Sequence, residues 1–222
     1  MNLYLGLIQR ELLIGIRSGS EALVPVAFFA LVIFVFALTF GTEKELLARC
    51  TIPILWITAL FANTLSLDNL FKRDHDDGTL ALTLLSFRPS IPIIVVKLVI
   101  HWTITALPIC LFAPLIGKMF GLSWEAAVLA GGTLGIGTLS MTLIGALVAA
   151  LLIGVERGGQ VLLLIVVPIY LPVLLLGIGI STLHAQGMTY SSPLLGSLAI
   201  LSAGITCVPL ALKPLLKTAQ DS

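Results

Sequence analysis

Asp, Glu, Lys and Arg are absent from five long stretches of this chain, and that spacing constrains its fold more than any other feature. The stretches are Ala22 to Thr42 (21 residues), Cys50 to Leu67 (18), Leu98 to Gly117 (20), Ala126 to Val155 (30) and Gly158 to Leu212 (55). A helix needs roughly 20 apolar residues to cross the hydrocarbon core, and an ionised group at its centre is costly. Each of the first four stretches holds one crossing, and the last holds two, divided at the polar, turn-rich residues 184–193. Six spans are expected, over about 22–41, 51–68, 91–116, 127–153, 161–183 and 193–213. Pro25, Pro53, Pro108, Pro168, Pro172 and Pro209 fall inside them and predict kinks, because neighbouring helices can satisfy the carbonyls that proline frees. Continuous apolar runs exclude a β-barrel, whose strands alternate. Composition agrees, since 10 % of the 222 residues are charged against about 25 % in a soluble domain. The expected fold class is all-α, a polytopic membrane protein with residues 1–222 forming a single domain in the lipid bilayer.

The twelve Lys and Arg fix the expected orientation. Arg10, Arg17, Lys72, Arg73, Arg88, Lys97, Arg157, Lys213 and Lys217 fall on one side, and Lys44, Arg49 and Lys118 on the other. The positive-inside rule then puts both termini in the cytoplasm. Ahead of the first span, residues 1–20 predict an interfacial helix. Asn2, Gly6, Gln9, Arg10 and Arg17 share a polar arc opposite Leu5, Ile8, Leu12 and Ile16, with Glu11 off the arc. The apolar run that follows is too long for a signal-peptide core, so no cleavage is expected.

Several chemistries are disfavoured by the residues themselves. A net charge of +1 without a basic patch offers nothing to nucleic acid, which is bound by clustered Lys and Arg. Cys50, Cys110 and Cys207 show no metal or redox spacing, and a thiol inside a span behaves as a small apolar group. Gly117-Lys118 lacks the upstream glycine of a phosphate loop, so this chain is not expected to hydrolyse ATP or to be an enzyme.

The densest charge runs from Asp68 to Asp77, then gives way at Gly78 to Thr79-Leu80-Ala81-Leu82. Residues 69–88 read as a short cytoplasmic helix lying across the membrane surface, or as a solvated loop that only fixes topology. A metal site built from Asp74, His75, Asp76 and Asp77 is disfavoured, because consecutive residues on a helix face different ways.

Asp76-Asp77-Gly78-Thr79-Leu80, then Leu84-Leu85, Pro89, Pro92 and Lys97, resembles the cytoplasmic coupling segment of six-helix ABC exporter permeases. Adding Leu70-Phe71-Lys72-Arg73-Asp74, His101-Trp102, Leu107-Pro108, Arg157-Gly158-Gly159 and Pro168, nearly the whole chain resembles the CcmB family, a membrane component of the cytochrome c maturation haem exporter. Ala81 departs from related exporters, which often carry a glutamate there. The resemblance implies a permease subunit in the bacterial inner membrane, working as two copies with two copies of a separate ATPase. It also implies other haem-handling membrane subunits and a periplasmic haem chaperone. Haem would be cargo or a ligand handed on. The same resemblance assigns ATPase coupling to Asp68, Phe71, Lys72, Arg73, Asp76, Asp77, Gly78 and Thr79.

Individual residues carry further expectations. Lys97, about one turn inside the third span, can anchor the coupling segment by pairing with Asp68 or Asp77. His101 is about ten residues into that span, ~15 Å deep and close to the midplane. An ionisable group there is a haem-ligand or relay candidate, against the simpler reading of a neutral ring bonded to a neighbouring carbonyl or to Thr105. Trp102 beside it reads as a helix contact or a porphyrin-stacking ring. Glu156 and Arg157, before Gly158-Gly159, offer a second ATPase contact or a tight turn. Gly131, Gly132, Gly135 and Gly137 form a small-residue face for close helix packing. Trp124 and Tyr190 read as interfacial belt residues. Apart from the resemblance, a non-transporting membrane scaffold and a secondary transporter stay open as alternatives.

Overall fold

The computed structural model describes residues 6, 9, 13, 20–41, 43–79, 91–155 and 158–218. Eight helices lie among these residues: α1 (Ser20–Phe40), α2 (Lys44–Leu67), α3 (Asn69–Asp76), α4 (Ile91–Thr105), α5 (Leu107–Met119), α6 (Trp124–Leu151), α7 (Gly158–Ala185) and α8 (Ser191–Thr218). They make six runs long and apolar enough to cross a membrane, with α2 and α3 forming one run and α4 and α5 another. The all-α, six-span expectation holds. The expected interfacial helix over 1–20 lies almost wholly outside the described residues, as do Leu80 to Arg88 of the coupling segment and Glu156 and Arg157.

Helix ends depart from the charge-free stretches in a consistent way. α2 starts at Lys44 and carries Lys44, Glu45 and Arg49 in its first two turns, and α8 continues past Lys213 and Lys217 to Thr218. A helix satisfies its own backbone in headgroups as well as in hydrocarbon, so charge marks where the apolar core ends and not where the helix ends. Ser123 starts α6 with extended backbone, its Oγ accepting from the Ala126 amide at 3.2 Å. Trp124, immediately after it, is exposed.

Proline acts differently along the chain. Pro25, Pro53, Pro168, Pro172 and Pro209 sit inside continuous helices, whereas the third span breaks at Ala106, two residues before Pro108. Pro108 cannot donate to the carbonyl of Ile104, although the Ala106 amide still reaches the Trp102 carbonyl at 2.9 Å and the Cys110 amide that of Ala106 at 3.0 Å.

α6 is the central element, packed against α2, α5, α7 and α8. Two thirds of the most apolar part of α2 and of α6 is buried, but only 17 % of that of α1 and α8, which form the outer wall. Glycines set the closest approaches. A Cβ on Gly137 or Gly177 would run into the Trp56 ring, and one on Gly145 into Tyr170 and Leu67. Gly131 receives Pro114, whose Cγ would lie 2.6 Å from an added Cβ. Gly132 and Gly135 face open space, so the expected glycine face splits into a packed half and an unused half.

Candidate functional site

At one end of the bundle the chain passes from α2 into α3 without leaving helical dihedrals, with Asp68 at φ −57° and ψ −37°. The described part of the coupling segment therefore extends helix two and does not turn to lie across the surface. α3 is amphipathic over two turns. Leu70 and Phe71 are buried in the bundle, while Lys72, Arg73, Asp76 and Asp77 are exposed. Phe71, expected on the coupling surface, is 1 % exposed. An aromatic ring gains more from the core than from water, so Phe71 anchors α3 instead of presenting a contact.

Asp68, Lys72 and Asp76 follow at intervals of four and share one face. That face lines a cavity of about 180 Å³ whose far wall is Leu152, Gly154, Val155 and Gly158, the turn between α6 and α7. Asp68 sits against the first turn of α7, close enough that a Cβ on Gly159 would fall 2.8 Å from its Oδ1. A carboxylate at a helix N-terminus faces the positive end of the helix dipole. The fold thus brings the acidic segment up to Val155 and Gly158; Glu156 and Arg157 themselves lie outside the described residues.

α3 ends with the Asp77 amide donating to the carbonyl of Arg73 and the Gly78 amide to that of His75, each at 3.0 Å. Gly78 then takes φ +68°, the left-handed conformation that stops a helix and that glycine adopts at little cost. The Thr79 hydroxyl leans back toward the Asp74 carbonyl at 3.4 Å and its carboxylate at 3.5 Å.

Lys97 donates to Asp74 Oδ2 at 2.5 Å and joins α4 to α3. The expected partners were Asp68 or Asp77. Because α3 runs on from α2, Asp68 faces the start of α7 and Asp77 is in the exposed cap, which leaves Asp74 as the carboxylate turned toward α4.

One helical turn beyond Lys97, His101 is buried with Nε2 at 3.1 Å from Ser66 Oγ on α2. The Ser66 hydroxyl donates its one proton to the Asn63 carbonyl at 2.7 Å, so it accepts from His101 and the ring proton is on Nε2. Iron ligation through that nitrogen would require losing both the proton and the contact. Thr105 donates to the His101 carbonyl, not to the ring. Trp102 Nε1 donates to Thr138 Oγ1 on α6 at 3.0 Å, which gives the ring a helix-contact role.

These bonds belong to a polar seam that the hydropathy pattern does not single out. Thr142 Oγ1 is 2.8 Å from Asn63 Oδ1 and 2.9 Å from the Thr138 carbonyl. Tyr170 donates to the Met141 carbonyl at 2.5 Å. Among the described buried side chains, Trp56 Nε1 and Asn63 Nδ2 have no hydrogen-bond partner. The sequence signal was present as polar residues at helical spacing inside apolar stretches, Asn63 with Ser66 and Thr138 with Thr142. No group of three or more His, Cys, Asp or Glu suited to a metal ion occurs among the described residues.

The sequence matches the family described as CcmB protein over residues 2–220. It is 37 % identical to Heme exporter protein B of Haemophilus influenzae, covering 99 % of this chain and 100 % of that protein. Heme exporter protein B of Pseudomonas aeruginosa is 35 % identical, with 97 % of each chain covered. The protein of that name from Escherichia coli (strain K12) is 33 % identical over 87 % of this chain and 86 % of its own length. With near full-length matches and six membrane-spanning runs, this multi-pass membrane protein belongs to the CcmB family.

Proposed function

We propose that the chain is the haem-export permease of an ABC-type assembly, with haem as substrate and ATP hydrolysis carried out by a separate ATPase subunit. Its relatives' name, Heme exporter protein B, supports the substrate. The single observation that carries the coupling role is α3, a charged helix continuing from α2, ended by Gly78 and clamped to α4 by the Lys97–Asp74 pair. Lys72, Arg73, Asp76, Asp77 and Gly78 supply its exposed surface; Asp68 and Thr79 brace it, and Glu156 with Arg157 is proposed as a second contact. Movement of an ATPase docked there passes directly into α2 and, through the ion pair, into α4.

Residues 1–222 then act as one permease unit, paired with a second copy and two ATPase copies in the bacterial inner membrane. The distribution of nine Lys and Arg against three supports cytoplasmic termini and a cytoplasmic coupling end. Other haem-handling membrane subunits and a periplasmic haem chaperone complete the route to c-type cytochromes.

The test is purification from the native membrane in mild detergent, with and without replacement of Asp77 and Gly78. An ATPase that accompanies the native chain and is lost from the variants is the expected result. Absence of any ATPase, under conditions that retain haem-handling partners, would overturn the reading in favour of a non-transporting scaffold.

A further inference from the structure

The two halves of the third span are held differently, although Thr138 on α6 bonds both, Trp102 of α4 at 3.0 Å and Cys110 Sγ of α5 at 3.5 Å. α5 meets α6 through close steric contact, with Pro114 lodged against Gly131 and Gly117 so near Ala127 that an added Cβ would lie 3.3 Å from the alanine Cβ. The four-residue turn from Phe120 to Ser123 joins the two helices directly. α4 touches α6 much less, and its side-chain hydrogen bonds to other helices are polar: Lys97 to Asp74 on α3, His101 to Ser66 on α2, and Trp102 to Thr138 on α6. Interlocked steric contacts resist sliding, whereas hydrogen bonds within a bundle can be exchanged for neighbouring ones at modest cost. Between the halves lies Ala106, at φ −100° and ψ −34° and still bonded to Trp102 and Cys110 through its amide and carbonyl, and there Pro108 leaves the Ile104 carbonyl without its helical donor.

Resting on the coupling role proposed above, we infer that α4 is a lever hinged at residues 105–108, driven from α3 through Lys97–Asp74, while α5 stays fixed to α6. His101–Ser66 and Trp102–Thr138 are the latches that hold the lever in the arrangement seen here. Both contacts lie on the α3 side of the hinge, within two turns of Lys97, so a displacement of α3 reaches them before it reaches α5. His101 and Trp102 are thereby positioning residues for the stroke.

The experiment uses the intact assembly in lipid nanodiscs, with Cys50, Cys110 and Cys207 replaced and spin labels placed in pairs. Val95 and Leu151 report α4 against α6; Leu115 and Val128 report α5 against α6. All four side chains are exposed on the bundle surface. On trapping with a non-hydrolysable ATP analogue, the first distance is expected to shift on the order of 2–5 Å, the range of helix displacements in switching proteins, while the second stays fixed. Pro108→Ala, which restores the missing donor, is expected to reduce the first shift to less than half while the ATPase remains bound. Equal shifts in both pairs, no shift in an assembly that hydrolyses ATP, or an undiminished shift in Pro108→Ala would each overturn the lever. An assembly with no ATPase would instead overturn the coupling role on which it rests.

Discussion

Lys97 and Asp74 stand 23 residues apart in the chain and meet at 2.5 Å, joining the two helices on either side of residues 80–90. Their side chains retain 17 % and 21 % exposure, between the surface pairs that contribute little and the buried ones whose disruption is severe. Lys97→Met and Asp74→Asn should each lower stability in detergent. A double-mutant cycle should show a coupling of roughly 1–3 kcal/mol. Lys97→Asp combined with Asp74→Lys should recover haem delivery that either single charge reversal abolishes.

Trp56 fills space that two glycines leave open. Gly177→Ala should reduce stability by roughly 1–3 kcal/mol, the cost of overpacking a tight core, read as a fall of about 2–10 °C in Tm. Gly132→Ala is the matched control, since nothing lies within 4 Å of its added methyl. It should be neutral or slightly stabilising, because alanine is the better helix former. Thermal unfolding in one detergent checks both.

At Gly78 the constraint is backbone conformation, as an added Cβ there meets nothing within 4 Å. Gly78→Ala should therefore cost about 1–2 kcal/mol through the left-handed φ alone, weakening retention of the ATPase roughly 5–30-fold if α3 must end there to dock. Gly78→Asn should lose much less, because asparagine tolerates that conformation. Quantitative pull-down of the two variants separates conformation from side-chain contact.

His101 supplies the donor to Ser66. His101→Ala leaves that buried hydroxyl short of a partner and should cost roughly 1–3 kcal/mol. His101→Gln, with a side-chain amide donor, should accumulate in the membrane and support haem delivery. Loss of delivery by a well-accumulated His101→Gln would point to an iron-ligand or relay role for the ring. Membrane abundance and chaperone loading in cells are the two measurements.

Gly159 gives the Asp68 carboxylate room beside the start of α7. Gly159→Ala would put a methyl 2.8 Å from Asp68 Oδ1 and should separate α2 from α7 at the α3 end of the bundle. Asp68→Ala in the same chain should relieve that defect. Thermal unfolding of the single and double variants shows whether the effects are non-additive, as expected for residues in contact.

Charge spacing and hydropathy alone settle the number of spans and the place of the acidic segment. Both depend on local free energies, the cost of a charge in hydrocarbon and the length needed to cross it, which a linear pattern records. Lys97 is legible as an anchor for the same reason, being a charge just inside a span. Its partner is not, since Asp68, Asp74 and Asp77 are equivalent until the direction of α3 is known. Phe71 reads as part of a motif on a coupling surface, and only packing shows the ring turned into the bundle. Likewise Asn63, Ser66, Thr138 and Thr142 are minor polar interruptions in apolar runs until helices from distant parts of the chain set them side by side. Those pairings emerge only in the folded bundle, because a hydrogen bond between helices depends on their rotation and depth relative to each other, which hydropathy does not encode.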